Sequence, residues 1–299
     1  MIEKMNPSIE KFIEPNATEI QRITTTDAGT FYKTYLHAKK PVIFTNIMHD
    51  WPATQKWSLK SLQNLTPKEQ SLYIEEGDIL RDITLFKKVQ FGKYIESLLS
   101  EKNESNTKKP PYLADFNIFE NFPELKNDVN FDLLSSNTVT QRINGWIGPA
   151  HTVSSYHVDW ADNLFAQIEG RKLIKLISPE YNTCMYPSKK YDSGSLLSSI
   201  DSDNYDATKY PRFREAKSQY TVLNPGELLY IPYGWWHYIR ALDPSISVNC
   251  FAWGWKGVCL DLPIRYIKKR LHAMKLYGRN GCSCHMIREG KRIARSMHY

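Results

Sequence analysis

Nowhere in the 299 residues is there an apolar run long enough for a membrane span, which takes about twenty consecutive apolar residues. No transmembrane helix and no membrane partner are therefore expected. The opening stretch MIEKMNPSIEKFIEPNATEI has no apolar segment of the kind a secretory leader needs, so a signal peptide is not expected either. Cysteines are few and odd in number, five, at 184, 250, 259, 282 and 284, with no framework spacing. That excludes a disulfide scaffold and points to reduced thiols in an intracellular compartment, cytoplasmic or nuclear. Cys282, Cys284 and His285 lack the second ligand pair of a zinc finger, so a structural zinc is not the expectation. Strong charge is missing from most of the chain. Residues 256–299 carry eleven Lys/Arg against Asp261 and Glu289, a balance of +9, which leaves about −2 of the overall +7 for the other 255 residues. The basicity belongs to a C-terminal appendage and not to the body.

What is present is a succession of short β-type segments with helices before and after it. Residues 1–20 read as a weakly structured lead. Thr26-Asp27 caps a helix running to about His37, with Phe31, Tyr32 and Tyr35 on one side. Residues 41–45 form a strand, 57–62 open a short helix, 72–74 and 83–86 are strands, and 89–99 is helical. The polar stretch 101–110 reads as a loop, and 112–116 resumes a strand. From Gln141 strands are predicted at 141–147, 152–158, 163–168, 171–177, 219–222, 227–231, 236–241 and 246–253, with Gly, Pro, Asn and Asp between them. Gly170-Arg171 reads as a hairpin turn, and 181–218 as a long polar connection bordering the site. After Leu262, apolar residues 264, 267, 271 and 274 follow helical spacing, then comes a Gly/Cys loop at 278–284 and a basic tail also read as helical. The expected fold is mainly β with flanking helices, built on a double-stranded β-helix of jelly-roll or cupin-like type. Residues 1–140 would flank the barrel, 141–255 form it, and 256–299 make a basic helical extension.

His157 and Asp159 are two apart, so in a strand both side chains point the same way. With His237, at the end of another apolar run, they make two imidazoles and one carboxylate, the set that non-heme Fe(II) oxygenases use. Lys172 stands thirteen positions after Asp159. A cation inside a small barrel is costly unless an anion meets it, and a dicarboxylate co-substrate would be that anion. Ser154 and Asn163 are placed to add hydrogen bonds to a carboxylate, and Asn249, in an apolar strand, needs partners of its own. Plainer readings stand beside these. Lys172 could snorkel to solvent, Ser154 could serve a turn, Asn163 could end a strand, and Asn249 could satisfy neighbouring backbone. Tyr156, Trp160, Trp235, Trp236 and Trp253 could shield an oxidant, but core is the expectation for them.

Taken in order, Asn144-Gly145-Trp146-Ile147-Gly148-Pro149, Ser154 to Asp159, Asn163 to Lys172, Pro225-Gly226-Glu227-Leu228-Leu229-Tyr230-Ile231-Pro232, Trp236-His237 and Ser247-Val248-Asn249 resemble the JmjC-domain oxygenases of the small, hydroxylase type. The resemblance covers roughly residues 30–255. It implies that His157, Asp159 and His237 bind Fe(II). It implies that Lys172, Tyr112 and Ser154, helped by Asn163, hold the far carboxylate of 2-oxoglutarate, with Asn249 near the metal-bound end. Dioxygen would be the further co-substrate, and succinate, carbon dioxide and a hydroxylated product would result. A polypeptide side chain, arginine among the candidates, is the substrate implied first. A wybutosine-type tRNA base, an N-methylated histone lysine and a catalytically silent cupin-like binding module are the alternatives. The extension after 256 lies outside the resemblance. Its apolar positions suit a homodimer face, and its charges an RNA contact.

Overall fold

Eight strands carry the centre of the molecule: β1 (Thr140–Gly148), β2 (Val153–Asp159), β3 (Asp162–Glu169), β4 (Lys172–Ile177), β5 (Ser218–Leu223), β6 (Leu228–Ile231), β7 (Trp236–Ala241) and β8 (Ser245–Trp253). Each lies within a residue or two of a predicted segment. The computed structural model describes residues 7–65, 70–76, 85–100, 111–192, 194–278, 281–282, 285–288 and 291–294. The eight strands form two antiparallel sheets, ordered β1-β8-β3-β6 and β2-β7-β4-β5, which is the wrapping of a jelly roll.

Period-two alternation sorts side chains onto three surfaces. Phe165, Ile174, Leu176, Leu229 and Ile231 fill the space between the sheets. Leu164, Ala166, Ile246, Val248 and Cys250 face outward beneath a layer that includes Trp57, Leu62, Phe91 and Ile95. Tyr156, Val158, Trp236 and Tyr238 face outward on the opposite side.

The flanking region does more than pack on the barrel. Val42–Phe44 pairs with β6 and Pro111–Phe116 with β1, and further strands beyond them bring the β1-β8-β3-β6 sheet to nine. The lead is not loose throughout. Thr18–Glu19 pairs in parallel with β5, and Ile20 is buried. An open sheet edge leaves backbone N–H and C=O groups unpaired, and these segments cover it. Asp27 caps the helix Ala28–Phe31 by accepting from the Thr30 N–H, and a π-turn, Tyr32–Leu36, continues it. Phe31 and Tyr35 are buried while Tyr32 is exposed, because only residues four apart share a helix face. The helix predicted over 89–99 starts at Phe91, two residues late, since Val89 and Gln90 belong to the strand Leu85–Gln90. The beginning of that predicted strand and the 101–110 loop fall outside the described residues.

Two expectations are corrected. Gly170-Arg171 is not a hairpin turn, because β3 and β4 lie in different sheets. It is a corner between them. Gly170 has φ +71°, and a Cβ there would come 2.2 Å from the carbonyl oxygen of Pro244. Arg171 fastens the corner to Asp243 with hydrogen bonds of 2.7 and 3.0 Å. The extension, for its part, is helical only at first. A π-turn, Gly257–Asp261, runs into the helix Leu262–Ala273, but His285–Arg288 and Lys291–Ala294 pair as antiparallel strands. Segments this short gain little from helix formation. Among the described residues no helix is long and apolar enough to cross a membrane.

Candidate active site

Asp159 ends β2, and His157 stands two residues before it. His237 sits directly opposite His157 in the register of β7 against β2, and the two rings lie 4.0 Å apart between centroids. Asp159 Oδ2 is 3.3 Å from His237 Nε2 and 3.9 Å from His157 Nε2. One ligand-type atom from each residue lies within 4.8 Å of the others. The Nδ1 of His157 faces the Ser155 carbonyl at 2.8 Å, and that of His237 the Trp235 carbonyl at 3.1 Å. A carbonyl only accepts, so Nδ1 carries a proton in each ring, and Nε2 is the nitrogen turned toward Asp159. The remaining oxygen, Asp159 Oδ1, accepts from Ser195 Oγ at 2.8 Å. Burial works against a charge on Asp159, yet the two rings and the Ser195 hydroxyl outweigh it and hold the carboxyl well below its usual range. Burial, with His237 close by, lowers His157 to about 4. At neutral pH the cluster therefore offers the neutral imidazole of His157 and the carboxylate of Asp159, with His237 Nε2 turned to the same point, a donor set that a divalent cation can use.

Lys172 opens β4 and is 1% exposed. Its Nζ donates to Ser247 Oγ at 2.6 Å and to the Tyr112 hydroxyl at 3.4 Å, beneath the Phe165 ring at 5.2 Å. Among the described residues no carboxylate pairs with it. Burial pulls its ammonium down to about 7. The side-chain oxygens of Asn163 and Asn249 are buried with no hydrogen-bond partner. Both amides keep bonding capacity for a group placed within the barrel.

Strict alternation from His157 would turn Ser154 outward with Tyr156 and Val158. It does not, because the register slips. His237 stands opposite His157, but Ile239 stands opposite Ser154, so β2 accommodates one residue more than β7. This bulge brings Ser154 to the side on which Ile239 packs against the inter-sheet cluster, that is, into the barrel.

Of the predicted aromatics, Tyr156 and Trp236 are core on the outer face of β2 and β7, and Trp235 packs between the sheets. Trp160 and Tyr233 stand beside Asp159 and His237, their rings 5.9 Å apart. Two functional contacts have no counterpart in the sequence reading. Ser247 shared its face with Asn249 at a spacing of two, a usable signal. Ser195 had none beyond membership of the 181–218 connection. That connection does border the site, for Ser195–Leu197 pairs with β2, setting Ser195 against Asp159. Asp162 fixes the turn ahead of His237 by accepting from the Tyr230 hydroxyl at 2.7 Å and the Tyr233 N–H at 3.0 Å. The side chains of Cys284 and His285 fall outside the described residues.

Residues 28–253 match the family model described as a cupin-like domain. This chain belongs to the cupin-like family. Its relatives place it on the JmjC branch. It is 35% identical over 245 residues to lysine-specific demethylase 8 of Xenopus tropicalis, covering 79% of this chain and 53% of the relative. It is 34% identical over 229 residues to lysine-specific demethylase JMJ30 of Arabidopsis thaliana, covering 75% and 52%. It is 30% identical over 243 residues to Jumonji C domain-containing protein 5 of Drosophila melanogaster, covering 79% and 60%. The cupin-like chain thus spans just over half the length of these curated relatives. JmjC cupin-like proteins form a family of Fe(II)- and 2-oxoglutarate-dependent oxygenases, and the donor set described above suits that metal. The extension after residue 253 lies beyond the matched region.

Proposed function

We propose that this protein is an Fe(II)- and 2-oxoglutarate-dependent dioxygenase that hydroxylates a side chain of a polypeptide, arginine first among the candidates, and releases succinate and carbon dioxide. One conjunction carries this reading. The cluster of His157, Asp159 and His237 and a buried Lys172, which no carboxylate among the described residues meets, face the same barrel interior. Leu176, opposite His237, is four residues along β4 from Lys172, or about 13 Å of strand. A lysine side chain, a five-carbon diacid and a metal ion can together bridge that span.

In this reading His157, Asp159 and His237 hold Fe(II). Lys172, with Tyr112 and Ser247, binds the far carboxylate of 2-oxoglutarate, with Ser154 and Asn163 beside it and Asn249 nearer the metal end. The iron, when bound, would activate dioxygen, the oxidant for both keto-acid decarboxylation and hydroxyl transfer. The chain does the rest. The Ser155 and Trp235 carbonyls hold the imidazoles in one tautomer and orientation. Ser195 occupies Asp159 Oδ1 and leaves Oδ2 turned to the histidines. Lys172 keeps its proton once an anion arrives. Phe165, Ile174 and Leu176 line the interior and exclude water.

The test is anaerobic reconstitution of the protein with Fe(II) and 2-oxoglutarate, followed by dioxygen and polypeptide fractions. A visible charge-transfer band is expected, then succinate and a product heavier by one oxygen atom, with band and turnover both lost in Asp159→Ala. No band in the wild-type protein would favour a silent binding module.

N-methyl-lysine demethylation is the second reading, favoured by the names of two relatives. Hydroxylating an N-methyl carbon releases formaldehyde, and its release from methylated histone peptides is the assay. Leu260, Ile264, Ile267 and Met274, all exposed, support a homodimer, which sedimentation tests. The basic extension supports an RNA contact, to be read as salt-sensitive tRNA binding lost on removing 256–299. The free thiols of Cys184, Cys250 and Cys259 support an intracellular location.

A further inference from the structure

A cavity of about 690 Å³ adjoins the ligand cluster. Ser195, whose hydroxyl meets Asp159, and Trp160, the residue after Asp159, line one side of it. The other side is the extension. Asp261, Ile264, Arg265 and Lys268 line it at helical spacing, from one face of the helix Leu262–Ala273 and its lead-in. This helix lies beyond the residues that match the cupin-like model. It is fastened in place at two points. The Tyr233 hydroxyl donates to Asp261 Oδ2 at 2.9 Å, and the Tyr191 ring lies 4.3 Å from that of His272.

The charge of the cavity is distinctive. Lys189, Lys190, Arg265 and Lys268 line it against Asp192 and Asp261, four positive to two negative. Lys189 and Lys190 stand out against the slightly acidic chain before residue 256, and Arg265 and Lys268 bring the charge of the basic extension up to them. Burial lowers Arg265, while Asp159 and Asp192 lie near enough to act on it in the opposite sense. Arg265 therefore stands at the junction of cavity and ligand cluster.

We infer that this cavity seats the polypeptide segment flanking the target residue and that it selects for acidic flanks. The inference rests on the polypeptide-hydroxylase reading. Trp160 and Tyr233 provide flat walls for an aliphatic stem reaching toward the metal ligands, and the cations meet carboxylates on either side of it. A volume in the ordinary ligand-site range of about 300–1,000 Å³ suits a short extended segment. A polypeptide fits better than a nucleic acid. Asp192 and Asp261 interrupt the positive surface and would repel an unbroken run of phosphates, whereas a peptide can space its carboxylates around them.

The experiment uses the full chain and three fluorescein-labelled probes. Two are peptides sharing a central arginine, one flanked by glutamates and one by lysines. The third is a single-stranded RNA of matching length. Anisotropy at low salt should show the acidic peptide bound about tenfold more tightly than the basic one, with the gap closing in high salt. The double variant Arg265→Glu/Lys268→Glu should invert that order. So should Lys189→Glu/Lys190→Glu on the facing wall, which guards against a folding defect in the helix. Equal binding of both peptides, or a preference unmoved by either double reversal, would overturn the inference. Tightest binding of the RNA, lost in the same variants, would overturn it in favour of a nucleic-acid groove. The two readings fail differently. Without the hydroxylase, acidic-peptide binding persists while 2-oxoglutarate is never consumed. Without the groove, turnover persists and ignores both reversals.

Discussion

Lys172→Met separates the site from the scaffold around it. The ammonium of Lys172 falls from 10.5 to about 7 through burial, which at about 1.4 kcal/mol per pH unit disfavours the charged form by about 5 kcal/mol. The unfolded chain keeps its proton up to 10.5, while the folded chain holds it only below about 7. The penalty is therefore fully present below pH 7 and disappears as pH rises through 10.5. About 4 kcal/mol of it applies at pH 7. Methionine fills nearly the same space without charge, but it leaves the Ser247 hydroxyl without its 2.6 Å donor, which costs about 1–3 kcal/mol. Without co-substrate, the variant is expected to be more stable than the wild type by about 1–3 kcal/mol at pH 7, an advantage that shrinks as pH is raised toward 9. Added 2-oxoglutarate with Mn(II) should reverse the order. A ligand at a thousand times its dissociation constant stabilises the wild type by about 4.1 kcal/mol, and the variant should gain almost nothing. Urea unfolding at pH 7 and pH 9, with and without 2-oxoglutarate, measures all four states. A variant less stable than the wild type at both pH values, yet stabilised equally by 2-oxoglutarate, would refute the assignment of Lys172 as the anion's partner.

Three further outcomes follow from the same contacts. Ser195→Ala frees Asp159 Oδ1, and Mn(II) affinity measured by titration calorimetry should fall about tenfold; unchanged affinity would make the Ser195 contact incidental. Gly170→Ala forces a Cβ against the Pro244 carbonyl at a φ of +71°. It should destabilise by more than about 2 kcal/mol in urea unfolding, and a neutral effect would show that the sheet-to-sheet corner yields easily. Glu14→Gln takes the charge from the partner of buried Lys175, 2.9 Å away. With Glu14 itself about a quarter exposed, the expected loss is about 2–3 kcal/mol of stability, with 2-oxoglutarate binding unchanged.

The parts of the molecule that could be read from its sequence are those governed by local periodicity. Short strands were visible as apolar runs bounded by Gly, Pro, Asn and Asp, most of them buried on both faces, and the two-residue spacing of His157 and Asp159 placed both on one face because strand side chains alternate. Pairing is not local, and there the reading went astray. A glycine turn between two strands looks the same whether they pair with each other or, as at Gly170, cross between sheets. Ser154 depended on a bulge, whose signature is a mismatch in length between β2 and β7 and not a residue type. Ser195 reaches Asp159 from a connection with no periodicity to read, and the strand pairing at the end of the extension lies among basic residues whose spacing gave no clear signal.

Strand β4 shows most plainly what the sequence withholds. Lys172 and Lys175 are three apart, so they face opposite sides of the sheet, and both are 1% exposed. Nothing in Lys-Leu-Ile-Lys says which one serves a ligand. On the outer side Glu14, far away in sequence, comes within 2.9 Å of Lys175. Ser202 accepts from it at 2.6 Å, and the rings of Tyr156 and Tyr238 lie at 5.3 and 4.6 Å. On the inner side, among the described residues, Lys172 meets the Ser247 and Tyr112 hydroxyls and the rings of Phe165 and Tyr112. A buried cation whose anion comes from its own chain helps to fix the fold, here by pinning the N-terminal lead to the barrel. One whose anion the fold does not provide is a standing cost in the free protein, and a ligand of opposite charge relieves it. Lys172 is therefore the place on β4 where binding free energy is available, and it lies on the same side of the barrel as the cluster of His157, Asp159 and His237.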